Sequence, residues 1–287
     1  MPFSVPQELL DEILDNLAGD FRSLKACSLA SSTMVARTRS HLFKMCHLSA
    51  RHLLAFRDLL RSPNCTFIPH VRSIQAYRYS SSSEDRYFNE VAEDLRRLTN
   101  VRVLQVILNI VLDASNVDDY LLRGFFAAFP HTTRFVLLCG FGTKSFAVPL
   151  IRTLCMFPAL EELQLRDTST WRVEAAPAGV IPPPKLRSVV LTMDTNGPIL
   201  AWMHVTGHLP NLSSVHLALV KLRQGPTVRA ALQELGGALR HLDIEVTFTP
   251  GNYWAPSANV FDLALHPNLQ TLVIRDHSDT SLSTPTR

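Results

Sequence analysis

The opening residues carry a helical rhythm. Leu9, Leu10, Ile13, Leu14 and Leu17 are apolar, while Glu8, Asp11, Glu12 and Asp15 take the other face. Apolar residues three and four apart share one side of a helix, and the acidic residues crowd the half where the helix dipole favours anions. Pro6 suits a first helical turn, where its missing N–H is not needed. Ser4 with Gln7 has the spacing of a capping box, and Gly19 suits a stop. A second helix is predicted from Ser23 to Ala30, with Leu24, Cys27 and Leu29 apolar, and a third from Ser32 to Phe43. Three short helices make a poor independent core. Such a unit completes its burial either against the rest of the chain, as a cap, or against a partner.

From residue 71 onward an apolar-x-x-apolar-x-apolar pattern recurs. It runs Val71, Ile74, Ala76; Val101, Leu104, Val106; Thr132, Phe135, Leu137; and Leu160, Leu163, Leu165. Then follow Leu186, Val189, Leu191; Leu212, Val215, Leu217; Leu239, Leu242, Ile244; and Leu269, Leu272, Ile274. The middle positions are 30, 31, 28, 26, 26, 27 and 30 residues apart. A strand plus a helix per unit explains that period, which is close to a leucine-rich repeat. Helical stretches are predicted over Tyr87 to Leu98, Val117 to Phe129, Phe146 to Phe157, Ile199 to His208 and Val228 to Leu235. Pro130, Pro158, Pro210 and Pro267 follow such stretches; proline ends a helix and favours extended geometry before it.

The expected fold class is an α/β solenoid: three N-terminal helices over residues 1–45, then a curved parallel sheet with outer helices over 46–277, then a disordered polar tail over 278–287. Eight strands roughly 5 Å apart would give a concave face of about 35 Å. By the period of two, Gln75, Tyr77, Gln105, Arg134 and Arg275 point to that face. So do Glu162, Gln164, Arg166, His216, His241, Asp243 and Glu245, which are the candidate contacts for a protein target. This row is either a binding surface or a merely solvated sheet face. Tyr79 to Arg86, with four serines, reads as a flexible loop; Asp167 to Pro184, with Trp171, reads as a contact loop or a spacer.

Residues Val5 to Leu17, then Ser23 to Leu29, then Arg37 to Phe43 resemble the F-box of fungal F-box proteins, especially those of mushroom-forming fungi. The irregular repeats resemble the leucine-rich repeats that such proteins carry after it. The resemblance implies a substrate-recognition adaptor of a Skp–cullin–F-box type ubiquitin ligase, with no catalytic site. Its partners would be a Skp-type adaptor protein, a cullin through it, and an unknown protein target. Pro6, Leu9, Leu10, Ile13, Leu14, Leu17, Leu24 and Leu29 would supply the adaptor contact and the helical core. The family often has tryptophan where this chain has Met34 and proline where it has Ala36. The alternative is a non-catalytic scaffold whose three helices only cap the solenoid.

Composition fits this reading. The chain has 287 residues, 46% hydrophobic and 8% aromatic, which points to a mainly aliphatic core. The net charge is +3, with both signs interspersed, so no nucleic-acid footprint is indicated. Cys27, Cys46, Cys65, Cys139 and Cys155 have no metal or redox spacing and read as reduced thiols of a cytoplasmic or nuclear protein. No apolar run is long enough to span a membrane. The loop from Gly140 to Ser145 lacks the glycine directly before its lysine that a phosphate loop needs. His204 and His208 stand four apart without a third ligand, so neither a metal nor a cofactor is expected.

Overall fold

The computed structural model describes residues 5–78, 82–108, 124–139, 146–148, 150–166, 171–173, 176, 179–220, 224–246 and 262–276. Helices α1 (Gln7–Asn16), α2 (Phe21–Ala30) and α3 (Ser32–Leu42) form where the apolar rhythm places them. Pro6 is the N-cap of α1 rather than part of its first turn, and no side chain caps that end. Ser4 lies outside the described residues, and Gln7 gives its amide to Asp11 at 2.8 Å instead of serving a capping box. α2 begins two residues earlier than expected because Asp20 caps it, accepting the N–H groups of Arg22 and Ser23 at 3.1 Å. A cap of this kind contributes about 1 kcal/mol. Ser31 caps α3 by accepting the Thr33 N–H.

The sheet begins at β1 (Met45–Ser49), one unit earlier than the repeat pattern suggested. It continues through β2 (Ser73–Arg78), β3 (Val103–Leu108), β4 (Arg134–Cys139), β6 (Glu162–Arg166), β8 (Ser188–Thr192), β9 (Ser214–Val220), β10 (His241–Val246) and β11 (Thr271–Asp276). The spatial order follows the sequence order, and every pairing is parallel. This is an α/β solenoid-like architecture: each strand adds beside the last, and the chain between them crosses one face. Two short strands, β5 (Phe146–Val148) and β7 (Trp171–Val173), pair separately.

Backbone hydrogen bonds set the register. The carbonyls of Lys44, Arg72, Arg102, Thr133, Glu161, Arg187, Ser213 and Arg240 each accept two consecutive N–H groups from the next unit, at 2.8–3.1 Å. With the entry to every strand so clamped, the middle apolar residues Cys46, Ile74, Leu104, Phe135, Leu163, Val189, Val215, Leu242 and Leu272 align in a single row. The row two residues on runs from Leu48 to Ile274 on the same face.

The crossing chain covers that face with α4 (Ala50–Arg61), α5 (Ser82–Leu95), α6 (Leu150–Leu154), α7 (Asn196–Val205) and α8 (Gly225–Leu235). α5 includes Ser82 to Arg86, expected as loop. Phe146 to Val148 is strand rather than helix, because Pro149 interrupts the expected helix and only α6 follows. Of the helix expected over Val117 to Phe129, residues 124–127 form a helical turn and 117–123 lie outside the described residues. The core is mostly aliphatic, with an aromatic knot at its centre. Phe126 meets Phe135 and Phe157 edge-on at 5.5 and 5.8 Å, and Phe125 meets Phe88 at 5.1 Å. The last strand is less covered. Leu242 and Ile244 are 1% exposed, whereas their neighbours Leu272 and Ile274 are 38% and 56% exposed. Among the described residues no helix is long and apolar enough to cross a membrane.

Candidate functional site

Two surfaces hold the candidate residues. The first is the α1–α3 unit. Its own core takes Leu14 and Leu24, both fully buried, so neither is open to a partner. Asp15 fastens α1 to α3: its carboxylate accepts both the Nε and an Nη of Arg37, and meets His41 Nε2 at 2.8 Å. The Arg37 hydrogen bond, then that of His41, holds the Asp15 carboxyl down at about 2. The opposite stripe of α1 is left over. Leu9 and Ile13, one helical turn apart, are more than half exposed, as are Phe21 and Leu29 on α2. Leu10 and Leu17 are half-buried and Pro6 is exposed. Met34 is half-buried on α3. The unit packs on the connection between α4 and β2 through Phe43, which stacks on Phe67 at 5.0 Å, and through Arg39, which donates to Thr66.

The second surface is the sheet face opposite the helices. Successive strands present side chains there: Gln75 and Tyr77 beside Gln105 and Ile107, then Arg134, Val136 and Leu138, then Glu162, Gln164 and Arg166. Val190 continues the middle row, followed by His216 and Asp243. The candidates therefore fall on one face, but they divide into two chemistries. Toward β11 the polar groups pair with one another: Asp243 Oδ2 lies 2.9 Å from both His216 Nδ1 and Arg275, while its Oδ1 is buried with no hydrogen-bond partner among the described residues. His241 pairs with the Thr271 hydroxyl at 3.2 Å, and Glu245 also has a partner. Toward β2 glutamine and aliphatic side chains prevail, and the charges there are the Arg134–Glu162 pair at 3.4 Å and the exposed Arg166 at the end of β6. The aliphatic residues Ile107, Val136, Leu138 and Val190 were absent from the expected face. Their signal was present as apolar runs without alternation, the mark of a strand with both faces apolar.

Other sequence features resolve into structure. His208 is buried, with its ring 3.3 Å from the Leu186 carbonyl, and burial pushes its pKa down. His204 pairs with Glu234 on α8. No group of three metal-ligating side chains exists among the described residues. Burial pushes the Cys46 and Cys155 thiols up to about 11, so both are protonated at neutral pH and poor nucleophiles. A cleft of about 570 Å³ opens where β1 meets α4, lined by His47, Ser49, Arg51, His52 and Tyr77. The loop from Gly140 to Ser145 and the tail after residue 277 lie outside the described residues. No known family model matches the chain, and no curated protein matches it.

Proposed function

We propose that the chain is a substrate-recognition adaptor of a Skp–cullin–F-box type ubiquitin ligase. The α1–α3 unit is its F-box and docks on the Skp-type protein; the leucine-rich-repeat-like sheet holds a protein target. One observation carries the reading. A three-helix unit that already has Leu14 and Leu24 as its core still exposes Leu9, Ile13, Phe21 and Leu29. Surplus apolar surface on so small a unit fits a partner helix or groove. The work done is tethering: a target held beside a charged ubiquitin carrier presents its lysines at high effective concentration. No residue of this chain takes part in bond making.

A second reading is a scaffold whose helices cap the first strand. The Phe43–Phe67 stack favours it, since it ties the end of α3 to the connection between α4 and β2. A double variant, Leu9→Asp with Ile13→Asp, separates the two. Loss of co-purification with the Skp-type protein, with the sheet still folded by circular dichroism, is the adaptor outcome. Unchanged co-purification would transfer the case to the cap.

A further inference from the structure

We infer that the target-binding part of the open sheet face is its glutamine and aliphatic patch over β2–β8, and that it takes an extended, uncharged polypeptide segment with aliphatic side chains. This rests on the reading that the open face holds a target, and it moves the contact away from the charged strands β9–β11.

Three features of the face point there. Gln75 and Gln105 are register partners, and Gln164 continues their row beyond Val136. These half-buried carboxamides make no side-chain hydrogen bond among the described residues. A carboxamide both donates and accepts, as a peptide group does, so the row complements backbone rather than charge. Beside it, Ile107 and Leu138 are register partners and half-exposed. Val136 is 8% exposed yet stands outside the main core cluster. A charged side chain laid over these three would lose hydration without gaining a partner. By contrast, Asp243 Oδ2 is already shared between His216 and Arg275 and its other oxygen is buried, so a cation on β9–β11 would first have to displace those pairs to reach the carboxylate. Arg166, exposed beside Leu138, and the Arg134–Glu162 pair mark the charged margin of the patch. The five strands span about 19 Å, the length of about six extended residues.

The full chain, immobilised, would be panned with a displayed library of random peptides of about ten residues, enough to cross the patch. The enriched peptides would then be synthesised and titrated by fluorescence anisotropy. We expect enrichment of uncharged, aliphatic-rich sequences. Binding should fall at least about tenfold in Gln105→Glu and, independently, in Gln164→Glu, and stay within about twofold in Arg275→Glu. Unchanged melting would show that the variants are folded. Enrichment of charged sequences, a loss in Arg275→Glu alone, or no enrichment at all would overturn the inference. Binding of the Skp-type protein is read separately, so peptide capture without it leaves this inference standing and faults only the adaptor reading.

Discussion

Arg37 closes on Asp15 through two parallel hydrogen bonds, joining α3 to α1 by residues 22 apart in sequence. A forked pair of this kind fixes orientation as well as distance. Both side chains are about two-fifths exposed, so the contact orders the unit more than it stabilises the whole chain. It also gives α1 a pH response. The Asp15 carboxyl, ordinarily near 3.8, is held at about 2 in the folded chain. Its contribution is therefore complete above pH 3.8 and is lost as the pH falls toward 2. Amide protection in α1, taken relative to the intrinsic exchange rate at each pH, should fall over that window in the wild type. In Asp15→Asn it should be lower at pH 6 already, without the extra acid step. An acid step of equal size in both would place the sensor elsewhere.

Leu14 and Ile13 are neighbours with opposite fates. Leu14→Ala removes a fully buried side chain from the helical unit and should weaken that unit by about 2–5 kcal/mol. Ile13→Ala, more than half exposed, should change stability by no more than about 0.5 kcal/mol. Urea titration of the two variants, read by α1 amide signals, would check the contrast. Equal losses would mean that Ile13 is also packed in the free chain.

A similar contrast is expected across the last pair of strands. Leu242 and Leu272 are register partners in the same row, 1% and 38% exposed. Leu242→Ala should cost about 2–5 kcal/mol, since it opens a cavity between covered strands. Leu272→Ala should cost well under half as much, because water already reaches that side chain. Denaturant midpoints compared at equal slopes would decide it; a larger loss at Leu272 would show that the final strand is covered in solution.

Most of the sheet was legible because its signal is periodic. The middle apolar residues from Ile74 to Leu272 all appear in the expected row, since alternation and spacing survive wide variation in side-chain identity. The first strand escaped notice although Phe43, Cys46 and Leu48 have the same spacing. A cysteine occupies the middle position, and helix α3 runs into it directly. The helix expected from Phe146 failed at Pro149, a breaker visible in the sequence. The candidate surfaces were only half legible. Periodicity placed Leu9, Ile13 and Leu14 on a common side of α1, but it cannot say which edge of that side α3 covers. On the sheet, attention to polar residues hid Ile107 and Leu138, which share their face with Gln105.

The clamp carbonyls carry a consequence for how such a chain can change. At those eight positions stand lysine, arginine, threonine, glutamate and serine, because the contact asks only for a peptide bond. Side chains there can drift freely while the strand above keeps its seat. Divergence in this architecture therefore accumulates without loss of shape, and two such chains could share a scaffold long after their letters have ceased to agree.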